Sequence, residues 1–415
     1  MTEIAVPNIG ATTTFSFDLG LVTNHNGVGR YYVTDRNNLG VDVVDIGTLQ
    51  VIAQITGTGA TAFAGCRLTG GASIATCVGA NNDLSGPDGI DEIYYTNGSG
   101  TLVNKLYAGD INSVKVIDPV ALKVSKVITN LGIIGSGTRA DEGCFDLKDH
   151  LYWSSSTADT TANIINTDTD TVVAKITFNE ANGTPGAGLE ACVYDAKNDM
   201  WFVNNDGMVA NPDGEINGIP GAAMRALVAT ATNTTYPTVN YLSIAGVKIY
   251  SQSSPGSPCD GTGLALGPNN DMAINCRPAA VGAPLVVKIL DRTTGVFKAS
   301  VPAGGGDQLA YDATSNRYYS ASSRWNNTGK TINAGGACTA ALPCNPVLAV
   351  IDAASYAVIN MLPTGNNSHS VAVDPVTGYV FSPHSSDTGG AGFSKSYYFL
   401  GGTGGAGGFT VYKGR

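Results

Sequence analysis

Arg30-Tyr31-Tyr32-Val33-Thr34, Val41-Asp42-Val43-Val44-Asp45 and Val51-Ile52-Ala53-Gln54-Ile55 follow one another with short polar turns between them. Each run is rich in β-branched and aromatic residues, and each is too short for a helix that buries a face. Three such runs bounded by turn residues read as consecutive strands of one antiparallel sheet. The second position of the middle run is polar, and its last residue is an Asp that opens a turn.

The same unit recurs along the chain. Glu92-Ile93-Tyr94-Tyr95-Thr96, Val114-Lys115-Val116-Ile117-Asp118 and Val124-Ser125-Lys126-Val127-Ile128 form the next copy. His150-Leu151-Tyr152-Trp153, Asn163-Ile164-Ile165-Asn166 and Val172-Val173-Ala174-Lys175-Ile176 form a third. Further copies begin at Ala191, Leu264, Leu309 and Val371. A repeat built of four strands and counted seven times predicts an all-β, seven-bladed β-propeller. The seventh copy stops at its third strand, Phe409-Thr410-Val411-Tyr412, and Glu3-Ile4-Ala5-Val6-Pro7 is a strand without a sheet of its own. The N-terminal strand is therefore expected to close the last blade and remove its open edge. One domain, 1–415, is the expected organisation.

Composition excludes other classes. The chain has 415 residues, and its 23 basic against 33 acidic residues leave a net charge of −10, which argues against nucleic acid as a partner. Apolar residues make up 43%, enough for a core. No apolar run is long enough for a spanning helix, and a monomer is expected. Gly404-Gly405-Ala406-Gly407-Gly408 lacks the helix and Lys-Ser/Thr of a phosphate loop, so no nucleotide cofactor is expected.

Eight cysteines, an even number, favour disulfides and an oxidising compartment. The expected bridges are Cys66–Cys77, Cys259–Cys276 and Cys338–Cys344. Cys144 and Cys192 stay open, because neighbouring inner strands can exceed the roughly 7 Å that a bridge spans. Met1-Thr2-Glu3-Ile4 shows no basic n-region and no apolar h-region. Either the protein stays in the cytosol or a signal peptide has been removed; the cysteines favour the second, and with it a secreted or periplasmic location.

Arg30-Tyr31-Tyr32-Val33-Thr34 and Val116-Ile117-Asp118-Pro119 resemble the YVTN-type repeat of surface-layer and periplasmic seven-bladed propellers. The wider group that the chain resembles includes streptogramin lyase and gluconolactonase-like hydrolases. That resemblance implies metal-assisted chemistry at the mouth of a central channel.

The residues offer candidates for such a mouth. Aligning inner strands on Cys144, Cys192, Leu264, Leu309 and Val371 puts Glu142, Glu190, Thr262, Asp307 and His369 two places earlier. Aligning the ends of the second strands gives Arg36, Asp206, Arg277 and His384, with Arg324 one residue beyond its place. His369 and His384 stand symmetrically about the turn Asp374 to Gly378, so they are expected to meet as the catalytic acid/base pair. Glu142, Glu190 and Asp307 are the candidate metal ligands. Calcium or magnesium suits carboxylates, and zinc or iron suits histidine with carboxylate. Arg36, Asp206, Arg277 and Arg324 are candidate substrate contacts, although the arginines could equally neutralise the carboxylates without metal.

Long stretches after the second strands, Asp206 to Met224, Asn326 to Leu342 and Ser385 to Gly408, are expected to open onto the same mouth as binding loops. His25 and His150 are read as turn residues, and Asp45, Asp118, Asp291 and Asp352 as turn formers. Two functions stay open: a lyase or hydrolase acting on a small or oligomeric organic substrate, and a non-catalytic propeller that binds a protein, glycan or cell-envelope partner.

Overall fold

The computed structural model describes residues 1–9, 15–65, 86–129, 139–156, 160–232, 234–252, 258–333, 342–385 and 407–413. Their strands form seven sheets, and the fold is a seven-bladed β-propeller. Blade 1 contains Phe17–His25, Val28–Asp35, Gly40–Asp45 and Gln50–Ile55. Blade 2 contains Ile90–Thr96, Leu102–Asp110, Ser113–Asp118 and Lys123–Ile128. Blades 3 and 4 start at Gly143–Asp146 and Leu189–Asp195, blades 5 and 6 at Gly261–Leu266 and Leu309–Asp312.

Blade 7 consists of Ala372–Val373, Tyr379–Ser385, Gly407–Lys413 and the N-terminal strand Thr2–Ala5. The N-terminal strand runs antiparallel to the last one, with Glu3 opposite Thr410 and Ile4 opposite Phe409. The closure expected from the orphan strand is present.

The chain divides into two compact units. The first holds blades 1, 5, 6 and 7. Around its closing strand, Ile4, Phe15, Phe17, Tyr31, Phe381 and Phe409 form one apolar cluster. Tyr31 stacks on Phe381 with ring centroids 4.6 Å apart. Full burial of each such ring contributes about 1.5–3 kcal/mol.

The second unit holds blades 2, 3 and 4. Trp153, Phe178, Trp201 and Tyr241 centre its larger cluster, so the first two tryptophans are core residues, as their strand pattern implies. Cys144 and Cys192 form a disulfide here with Cα atoms 5.6 Å apart. The pair left open by the sequence is bridged, because the two first strands bring these Cα atoms within the roughly 7 Å that a disulfide spans.

Turn chemistry recurs as expected. Asp45 accepts from the amide of Thr48, Asp118 from Val120 and Ala121, and Asp352 from Ala354 and Ser355. Cys259–Cys276 is bridged, with Cα atoms 4.5 Å apart. Cys344 is disulfide-bonded, while Cys66, Cys77 and Cys338 lie outside the described residues.

The stretch Asp206 to Met224 differs from its reading. Glu215–Pro220 inside it is the third strand of blade 4, and a helix, Gly221–Val228, follows. The long connection therefore joins the third strand to the fourth, Lys248–Ser251. Ala222, Ala223, Met224, Arg225, Ala226 and Leu227 are strong helix formers, which overrides the strand rhythm here. Within this connection Thr238–Asn240 pairs in parallel with Thr171–Thr177 and makes blade 3 five-stranded. Asn326 to Leu342 does connect the second and third strands of blade 6; most of Ser385 to Gly408 lies outside the described residues. Among the described residues no helix is long and apolar enough to cross a membrane.

Candidate functional site

The register of each sheet fixes which residues lie two before the start of the regular inner ladder, counted after any irregularity in the first pairs. Gly20 pairs with Val33, Ile90 with Ala108, Gly143 with Ser154 and Cys192 with Val203. Leu264 pairs with Ile274 and Leu309 with Ser320. Counting back two gives Asp18, Asp88, Asp141, Glu190, Thr262 and Asp307, with His369 the matching residue of blade 7. Blade 3 thus puts Asp141 at this place, and Glu142 stands one residue further. The alignment on Cys144 missed this because Gly143, not Cys144, is the equivalent of Cys192. Counting from the shared turn aspartates, Asp146 and Asp195, would have found it. Asp18 and Asp88 hold the same place in blades 1 and 2, outside the five strands whose sequences align on Cys144, Cys192, Leu264, Leu309 and Val371.

In the first unit, His369 is buried and lies flat against Phe17, ring centroids 4.5 Å apart. Its Nε2 is 3.3 Å from Asp18 Oδ1, and its Nδ1 is 2.7 Å from the Asn367 carbonyl. Arg36 donates to the other oxygen of Asp18. Both ring nitrogens therefore face protein acceptors, and the carboxylate already has a guanidinium.

Gln308 fixes the strand that carries His369. It donates to the Gly20 carbonyl and accepts from Ser370 and from the amide of Val371. Asp307 accepts from Arg277 at 2.5 Å, and Thr262 donates to the Gly306 carbonyl.

In the second unit, Arg139 pairs with both Asp88 and Asp141. The Glu190 carbonyl accepts from Ser155, and the Glu142 carbonyl accepts from the amide of Ser155. Asp206 is held by its amide to the Gly188 carbonyl. A further carboxyl, Asp91, accepts from the Tyr152 hydroxyl at 2.9 Å. Burial pushes the Asp91 carboxyl up to about 7, against the lowering effect of that hydrogen bond.

The second-strand ends separate the two histidines. Two residues beyond Val33, Val203, Ile274 and Ser382 lie Asp35, Asn205, Cys276 and His384. Arg36, Asp206 and Arg277 are one residue further, where blade 7 has Ser385. A shift of one residue turns a strand side chain to the opposite face. From Ala372↔Phe381 to Asn366↔Ser385 the first strand advances six residues while the second advances four, so the opposition of His369 and His384 is lost in the irregularity. His384 faces the closing strand, with Nε2 2.6 Å from Glu3 Oε1 and Nδ1 3.0 Å from the Ser385 carbonyl.

Blades 5 and 6 build a second polar feature in the first unit. Pro284 and Lys330 form a bridge, and Thr331 donates to the carbonyls of Ala283 and Pro278. Trp325, half-buried, is pinned at its carbonyl by the amide of Asn345. Arg324 beside it bonds through its amide to the Gly305 carbonyl, two residues from Asp307. Gly305 links these segments: its amide reaches the Cys276 carbonyl beside Arg277, and its carbonyl accepts from Arg324, so the backbone at Arg324 and Trp325 is joined to the backbone that carries Arg277 and Asp307.

No family model matches the chain, and no curated protein does. Solved structures do. The WD40 repeats of RRP9 align with a TM-score of 0.57 at 8% identity over 99% of this chain and 96% of that one. The structure of U3-55K gives 0.55 at 9% identity over 99% and 97%. Kuenenia stuttgartiensis hydrazine synthase gives 0.52 at 11% identity over 92% of each chain. At such identities the likeness is one of fold: this chain is similar to these proteins in being a β-propeller.

Proposed function

We propose that the protein is a non-catalytic propeller of an oxidising compartment that binds a glycan through the braced loops of blades 5 and 6. The observation that carries this reading is the half-buried Trp325, next to Arg324 in the chain, on backbone that is hydrogen-bonded through Gly305 to the strand end bearing Arg277, itself paired with Asp307. A sugar ring offers an apolar face to an aromatic side chain and hydroxyls to a fixed donor–acceptor pair. The described parts of these loops are tied by hydrogen bonds at Lys330, Thr331 and Asn345, and such ties lower the ordering cost of binding. The two disulfides whose partners are both described, and the bonded Cys344, support the compartment.

Trp153 and Trp201 are buried, so a change of tryptophan fluorescence on adding ligand reports mainly on Trp325. Soluble cell-envelope oligosaccharides are expected to change it, and Trp325→Ala is expected to abolish the change and weaken binding at least tenfold. The proposal falls if none of them binds at about millimolar concentration, or if Trp325→Ala binds as well as the parent.

A lyase or hydrolase is the second reading, and His369 beside Asp18 is what favours it. It requires His369 to exchange one of its two acceptors for substrate. Turnover of the same oligosaccharides that is lost in His369→Ala would establish it.

A further inference from the structure

Asp35 and Asp42 are both fully buried in blade 1. Asp35 is the last residue of the second strand and Asp42 the third of the third strand. Blade 2 has Asp110 and Lys115 at those two places, joined as a buried ion pair at 3.3 Å. Blade 1 replaces the lysine by a second carboxyl.

Among the described residues, the groups around the pair supply no positive charge. Gln54 spans both carboxyls, donating to Asp42 at 2.8 Å and Asp35 at 3.4 Å. Asn38 and the amides of Asn37 and Asn38 donate to Asp35. Tyr31 faces Asp42 from the second strand, and its phenol is neutral. Arg36, next in the chain, is turned to Asp18, and Glu3 of the N-terminal strand is turned to His384. Two carboxylates in contact without a cation cannot both ionise, so one proton must be retained. Gln54, bonded to both, holds the two carboxyls side by side; burial raises both, and the neighbouring Asp35 raises Asp42 further.

The same two amides hold the N-terminal segment. Asn38 donates to the Pro7 carbonyl at 3.1 Å, and Gln54 accepts from Asn8 at 3.0 Å. We propose that Asp35 and Asp42 share one proton, and that this proton latches the segment that closes the propeller. Loss of the proton sets two anions against each other beneath Gln54 and Asn38, and the hold on Pro7 and Asn8 loosens. The closing strand then becomes easier to open as pH rises.

Hydrogen exchange of residues 2–9, corrected for intrinsic rates, tests this from pH 5 to pH 8. The parent is expected to lose protection there as pH rises, by up to about tenfold per pH unit while the proton is released. Asp42→Asn supplies a permanent donor to Asp35, and should give pH-independent protection. Asp42→Lys, which copies the Asp110–Lys115 arrangement, should do the same and covers the case in which the asparagine variant fails to fold. The proposal is overturned if the folded variant keeps the parent's pH slope at residues 2–9. It is equally overturned if the slope is uniform over all seven blades, because the pair would then affect general stability and latch nothing.

Discussion

His384 Nε2 and Glu3 Oε1 lie 2.6 Å apart, joining the second strand of blade 7 to the strand that closes the propeller. The other Glu3 oxygen accepts from Thr410 at 3.0 Å. A histidine that the sequence offered as an acid/base group thus serves as the anchor of the closure. Glu3→Ala removes two hydrogen bonds to a charged group, and should lower stability by about 1.5–3 kcal/mol. Exchange at residues 407–413 should rise more than exchange in blade 3. Uniform exchange, or an unchanged denaturation midpoint, would show that the pair does not secure the edge.

Cys144–Cys192 closes a loop of 48 residues between the first strands of blades 3 and 4. Replacing both by serine should cost about 2–4 kcal/mol. The cost should appear in denaturant midpoints of the oxidised protein and vanish when parent and variant are compared under reduction. A double variant as stable as the oxidised parent would contradict the bridge.

Asp91 sets a pH dependence whose sign follows from its burial. Its carboxyl sits near 7 in the folded chain and near 3.8 when unfolded, so the folded state binds the extra proton between those values. Stability from this group is fully present below about pH 4 and is lost as pH rises to about 7. Asp91→Asn keeps an acceptor for the Tyr152 hydroxyl and carries no charge. It should be close to neutral at pH 4 and stabilising at pH 8, by a few kcal/mol at most. Thermal midpoints of parent and variant at the two pH values check this; a constant difference would refute it.

What the sequence conveyed depended on the kind of signal. Strand alternation, turn aspartates and the unpaired strand at Glu3 to Pro7 are local patterns, and they led to blades and closure. Helix Gly221–Val228 is a single short element inside a β rhythm, and its propensity was outweighed by the Gly and Pro around it. The site positions failed by one residue at Glu142 and His384. Glu142 was displaced because the cysteines are not equivalent positions, which the turn residues Asp146 and Asp195 reveal. His384 was displaced by the irregularity in blade 7, where one strand advances six residues and its neighbour four, and this leaves no mark in composition. Arg36 and Asp18 could both be read as charges near one strand end, but their pairing needed the register.

Gly263 carries the last prediction. A Cβ placed there would stand 1.9 Å from the Asp307 carbonyl oxygen and 3.0 Å from the Leu309 amide nitrogen. Both are backbone atoms of the first strand of blade 6 and its approach, so no side-chain rotation relieves the contact. Blades 5 and 6 are close enough here only because one strand has no side chain. Gly263→Ala should therefore push the strands apart, at a cost of about 1–3 kcal/mol or more. It should also disturb the Arg277–Asp307 pair, because Asp307 is the residue displaced. Gly98→Ala meets nothing within 4 Å and serves as the control. If the glycan reading is right, Gly263→Ala weakens binding at Trp325 while Gly98→Ala does not. Should Gly263→Ala fold with the parent's midpoint, the close approach of the two strands is wrong, and the placement of Asp307 beside Arg277 would need to be measured anew.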